Sequence, residues 1–166
     1  YLGIHLLNDI LAFMSFSTKS PKSKDISLIP YLCGVGASTI GCQYGPIYMK
    51  DKGIETSIQA QGHKADWLDD PADLFSDTIY SAQAQDNPPD LKSTYGGEQR
   101  RDIVAHHSRY LRDSVAKVIE QGRMPVTVGG DHSMGAASLS GLIKATNAVQ
   151  KVGVIWLDAH PDINTD

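Results

Sequence analysis

Cysteine is scarce in this sequence, with only Cys33 and Cys42 among 166 residues. Two thiols cannot build a disulfide framework, and their spacing is far from Cys-x-x-Cys. Cys33 also closes an apolar run, where a buried free thiol is common. A reducing cytoplasm is therefore the expected compartment. Long apolar runs are lacking too. No stretch reaches the ~18 apolar residues of a membrane span. Leu2 to Phe16 is interrupted by His5, Asn8 and Asp9 and has neither a basic leader nor a cleavage signal, so it reads as a strand or short helix. No membrane association is expected. Positive charge is not in excess: 15 Lys and Arg stand against 19 Asp and Glu, a net charge of −4. Without a basic footprint, nucleic acid is not an expected partner. The single basic run, Lys19 to Lys24, is diluted by Ser and Pro and reads as a solvated loop. What is present, 41% hydrophobic and 20% charged residues, is ordinary for a globular domain with a real core.

Along the chain, Asp25 to Val35 reads as a strand, broken or made an edge by Pro30. Gly34, Gly36, Gly41 and Gly45 mark a flexible loop. Gly45-Pro46 then opens a helix through about Lys52, with proline at its tolerated first position. Ile54 to Ile58 is a candidate second strand. His63 to Tyr95 carries Asp66, Asp69, Asp70, Asp73, Asp77, Asp86 and Asp90 and the pair Pro88-Pro89, and reads as a polar insertion or long loop whose carboxylates lack EF-hand spacing. Gln99 to Gln121 is the clearest helix. Ile103, Val104, Leu111, Val115, Val118 and Ile119 recur at three- and four-residue steps, and Gly122 ends it. Pro125 to Val128 reads as a strand and Ser133 to Ala145 as a small-residue helix. Val152 to Leu157 is a continuous apolar run, as expected of a parallel strand buried on both faces. Helices alternating with such strands predict one three-layer α/β/α domain with a mainly parallel sheet, spanning residues 1–166.

Two phrases concentrate the chemistry. Val126-Thr-Val-Gly-Gly-Asp-His-Ser133 is followed by Gly153-Val-Ile-Trp-Leu-Asp-Ala-His-Pro-Asp-Ile-Asn164. In each, an apolar strand runs directly into side chains that bind metals: Asp131 and His132 in the first, Asp158, His160 and Asp162 in the second. Sites in open parallel sheets form at the carboxyl ends of strands, so both clusters are expected at one edge. Imidazole and carboxylate without thiolate suit Mn(II), Zn(II) or Fe(II). Ligands at i, i+2 and i+4 of an extended segment point to one side, so three can converge without a helix. Plainer roles fit the neighbours. Asp131 reads as a helix cap or a partner that orients a ligand, rather than a ligand itself. Ser133 has no Gly-x-Ser-x-Gly elbow around it and reads as capping or support, not a nucleophile. His106 and His107 lie within the long helix and read as surface or packing residues.

In that order and separation, Gly-Gly-Asp-His-Ser and Asp-Ala-His-x-Asp-Ile-Asn resemble the ureohydrolase (arginase/agmatinase) family, over a span from about Leu32 to Asp166. The Ile-Asn extension is more similar to arginase, and Gly45-Pro46 after a glycine-rich loop is a further point of likeness. The resemblance implies a binuclear Mn(II) hydrolase that converts L-arginine to ornithine and urea. It implies that His132, Asp158 and Asp162 hold one ion and that Asp158 and His160 hold the second. Asp162 would also accept a hydrogen bond from the attacking nucleophile, and Asn164 would contact the α-carboxylate end of the substrate. Agmatinase and formiminoglutamase are the nearest alternatives; the related deacetylases, with a single zinc and different strand motifs, are more distant. From a different class comes a truncated or regulatory homologue that never completes the binuclear site. The family is longer than this chain and draws its second pair of metal carboxylates from a later strand. With Tyr1 rather than Met at the start and Asp166 directly after a motif, the chain reads as an N-terminal fragment of a cytoplasmic homo-oligomer. One departure is Pro161, where the family has Thr or another small residue. Proline fixes φ, removes an N–H and biases His160 toward extended geometry, which bears on substrate positioning more than on metal binding.

Overall fold

Six consecutive buried residues, Ile26 to Tyr31, form the middle of the sheet in a computed structural model that describes residues 22–37, 41–76, 96–147 and 152–158. They belong to β1 (Asp25–Tyr31), which is followed by a 3-10 turn (Cys42–Tyr44), α1 (Gly45–Asp51), α2 (Ile54–Ala60), β2 (Lys64–Trp67), α3 (Pro71–Ser76), α4 (Gly97–Glu120), β3 (Met124–Gly129) and α5 (Met134–Thr146). The sheet order is β2-β1-β3 with every pairing parallel. Asp25 to Leu28 lie opposite Lys64 to Trp67, and Ile26 to Tyr31 lie opposite Met124 to Gly129.

β1 is thus central, and Pro30 neither breaks it nor puts it at the edge. The register explains this. The carbonyls of Lys24 and Leu28 accept from Lys64 and Leu68, so even-numbered residues of β1 turn their peptide groups toward β2. β2 ends at Trp67, and the N–H that Pro30 lacks would point into the side already vacated. The ladder to β3 uses the odd residues and continues past it.

Side chains alternate across β1. Ile29 and Tyr31 pack with Leu111, Val115 and Val118 of α4 and Ala137 of α5. Ile26 and Leu28, on the opposite face, pack with Ile54 and Ile58 of α2. Helices therefore cover both faces of a parallel sheet, the three-layer α/β/α arrangement. Each fully buried Leu or Ile contributes roughly 1.5–3 kcal/mol relative to an exposed one. Gly122, at φ +72°, ends α4 as expected: its N–H bonds to the Ile119 carbonyl (2.8 Å) and the Arg123 N–H to that of Val118 (3.1 Å). Arg123 then bonds Asp25 Oδ1 at 2.8 Å, Asp66 Oδ1 at 2.6 Å and the Ile26 carbonyl at 2.9 Å. One guanidinium, set just before β3, so ties the start of β1 to β2.

Three further expectations need correction. Ile54 to Ile58 is helical, not a strand. A spacing of four puts two isoleucines on one face under either period, and only the positive φ of Gly53 (+73°) marks the start of a helix. The polar span from His63 contains β2 and α3; its remainder, 77–95, lies outside the described residues. Finally, residues 152–158 do not pair as a strand among the described residues, and Ile155 and Leu157 are 88% and 93% exposed. An apolar run signals that a segment should be covered but does not specify what covers it. An apolar groove of about 600 Å3 separates this segment from the β3 and α5 side chains.

Candidate metal centre

β3 delivers the first motif to the carboxyl edge of the sheet. At Gly130 the chain turns with φ +74°, and a Cβ there would overlap the Tyr31 carbonyl oxygen and stand 2.8 Å from that of Cys33. Only glycine passes at this point. The Gly130 N–H bonds to the Cys42 carbonyl at 3.3 Å and the Asp131 N–H to that of Cys33 at 2.8 Å, so the loop after β1 clamps the loop after β3.

Asp131 is buried, and its carboxylate serves the loop. One oxygen accepts from the Gly36 N–H at 2.8 Å; the other accepts from the Ser133 N–H at 3.0 Å and from the Ser133 hydroxyl. A carboxylate satisfied by two backbone donors and a hydroxyl is a structural anchor, in keeping with the supporting role read from its position. Ser133 is likewise occupied: its Oγ also lies 2.7 Å from the Tyr31 hydroxyl. Tyr31 is buried at the end of β1, and burial pushes its pKa up to about 12, so the phenol keeps its proton. Burial first, and then the Asp131 charge, push the Cys33 thiol up to about 12. It is not a thiolate donor at neutral pH.

His132 points the other way. Its side chain is 60% exposed, and its Nδ1 stands 3.6 Å from Asp158 Oδ2. The Trp156 ring bridges the two segments. It lies 5.2 Å from the imidazole, tilted by 44°, and rests on Gly135, where a Cβ would come within 2.9 Å of it. A cavity of about 330 Å3 opens here, lined by His132, Asp158, Met134, Gly135 and Trp156 among others. The two clusters thus meet at one edge through His132 and Asp158. Two donors sharing an ion at about 2.1 Å with a near-tetrahedral angle stand about 3.4 Å apart, close to the separation seen. An imidazole and a carboxylate so placed fit a divalent ion. His160, Asp162 and Asn164 lie outside the described residues, and among the described residues no cluster of three or more metal-binding side chains forms.

His106 is exposed on α4, and His107 is partly buried with its ring edge-on to Tyr31 at 6.1 Å, so surface and packing roles hold for the pair. Desolvation, followed by the neighbouring His106, lowers the His107 pKa to about 4. The sequence offered no pointer to Tyr31, Ser108 or Gly36 as partners of the motif loop. Trp156 was visible only as one member of an apolar run.

Comparison with known proteins places this edge in context. The Arginase family model matches residues 24–166. The arginase of Saccharomyces cerevisiae is 28% identical over 153 residues, covering 87% of this chain and 43% of that protein. Human arginase-1 is 32% identical over 148 residues, covering 88% of this chain and 40% of that one. Among solved structures, Bacillus caldovelox arginase superposes with a TM-score of 0.59 at 26% identity, over 87% of this chain and 43% of that one. Entamoeba histolytica arginase in complex with L-ornithine gives 0.63 at 22% identity, over 88% and 44%, and bears on the fold alone. The chain spans less than half the length of these relatives.

Proposed function

Because the chain belongs to the arginase family, we propose that the complete protein is a binuclear Mn(II) hydrolase that cleaves the guanidino group of L-arginine to L-ornithine and urea. The observation that carries this reading is the meeting of His132 and Asp158 at 3.6 Å, from two motifs far apart in sequence, beside an open cavity. His132, Asp158, His160 and Asp162 would hold the ions, and two such ions, when bound, would supply a water acidic enough to act as a nucleophile near neutral pH.

The chain's own side chains would position the substrate and handle protons. The Asp162 carboxylate would accept a hydrogen bond from the attacking water and hold its oxygen toward the guanidinium carbon. The Asn164 amide would bind the α-carboxylate end of arginine. Attack forms a C–O bond at the guanidinium carbon. Collapse breaks the bond from that carbon to the side-chain nitrogen, which takes up a proton and leaves as the terminal amine of ornithine. The Entamoeba histolytica relative was solved with L-ornithine, the amino acid this reaction would release. Agmatinase and formiminoglutamase chemistry would use the same centre, and Asn164 favours arginase over agmatinase because an amide suits a substrate that retains the α-carboxylate agmatine lacks.

Release of urea from L-arginine and from agmatine, and of formamide from formiminoglutamate, by the complete protein with Mn(II) tests the assignment. L-Arginine should be turned over fastest; faster hydrolysis of agmatine would replace arginase with agmatinase. The same reading places the complete protein in the cytoplasm as a homo-oligomer.

A further inference from the structure

We infer that Tyr31, at the buried end of β1, is a positioning residue for His132, acting through the hydroxyl of Ser133 and the carboxylate of Asp131; the inference rests on the reading of His132 as a metal ligand. His132 projects into the open cavity with Asp158 and Trp156 beside its imidazole, and the backbone on either side of it sets where that side chain starts. That backbone is held by one line of hydroxyls whose polarity follows from its end. An ionised carboxylate only accepts, so the Ser133 hydroxyl donates to Asp131. Having spent its single proton there, Ser133 Oγ must accept from the Tyr31 hydroxyl at 2.7 Å. Tyr31 in turn has no proton left for Ser108, whose Oγ at 3.4 Å must therefore donate to it.

The line thus runs Ser108 to Tyr31 to Ser133 to Asp131 and ends on the Gly36 N–H, 2.8 Å from the other carboxylate oxygen. It ties the residues before and after His132 to α4, to the central strand and to the loop after that strand. No sequence-local element does this, since Tyr31 and Ser133 are 102 positions apart. A phenylalanine at position 31 could fill the same core volume, so the hydroxyl is what carries the role.

Tyr31→Phe in the complete protein isolates that hydroxyl while keeping the ring against His107. In the metal-free variant, amide exchange at Asp131, His132 and Ser133 should quicken by roughly tenfold as the loop opens locally. Its Mn(II) affinity should fall about three- to tenfold, less than the roughly 10- to 100-fold typical when a group directly orienting a ligand is lost. The Co(II)-substituted protein should show a shifted visible absorption band, which a purely structural loss would not produce. Ser133→Ala cuts the same link from its other end, so adding Tyr31→Phe to it should weaken Mn(II) binding no further. Unchanged exchange and affinity in Tyr31→Phe, or fully additive losses in the double variant, would overturn the positioning role alone. A parent protein that bound no Mn(II) would overturn the metal reading and this role together.

Discussion

Asp131 and His132 are adjacent in sequence and opposite in exposure, and that contrast separates their roles. The buried carboxylate is saturated by the Gly36 and Ser133 N–H groups and the Ser133 hydroxyl, while the imidazole faces the cavity beside Asp158. Asp131→Ala should therefore act on stability. It leaves two backbone N–H groups short of a partner at roughly 1–3 kcal/mol each, an expected loss of about 3 kcal/mol in guanidinium denaturation. A loss below ~1 kcal/mol would show that water replaces the carboxylate without difficulty. His107 carries a pH signature. Burial holds its pKa at about 4, below the usual 6.5, so the folded state favours the neutral ring. That contribution is present above pH 6.5 and is lost as pH falls from there through about 4. Thermal midpoints should drop over this window, and His107→Phe should flatten the drop; an identical slope in the variant would contradict the assignment. At this scale His132 and Asp158 were legible as candidate ligands because each sits in a motif whose residues are neighbours in sequence. Tyr31 and Ser108 were not, because their contacts with each other and with Ser133 span 77 and 102 positions.

Among the elements, α4 was the most legible, since its apolar stripe repeats with the helical period from Ile103 to Ile119 and a left-handed glycine ends it. α2 and β2 were the least. Ile54 and Ile58 satisfy both periods at once, and β2 is four residues long with only Ala65 buried. Neither segment has enough turns or alternations for its pattern to stand out from a polar surround. The packing of α5 on α4 was hidden for another reason, because it depends on what is missing from a side chain. A Cβ at Gly141 would approach the Arg112 carbonyl oxygen and the Val115 Cβ, both to 2.6 Å. Gly141→Ala should gain helix propensity yet push the two helices apart, with a net loss of about 1–3 kcal/mol from overpacking. Thermal unfolding measures it, and a raised midpoint would mean that the interface is looser than described.

For the molecule as a whole, layering and site location follow from the same property of parallel sheets. Helices must cover both faces, so the exposed chemistry collects where strands end. The three-layer order and the edge on which His132 and Asp158 meet were both readable in advance from apolar runs that lead straight into polar clusters. The covering of Val152 to Leu157 was not, since hydrophobicity alone names no partner. The central claim is that the two motifs build one shared centre, and calorimetric titration of the complete protein with Mn(II) tests it most directly. The parent and His106→Ala should each bind two ions. His132→Ala should lose one tight ion, and Asp158→Ala should lose tight binding of both, because under the proposed function its carboxylate would serve both ions. Two-ion binding that survives Asp158→Ala unchanged, or a loss on His106→Ala equal to that on His132→Ala, would contradict the account.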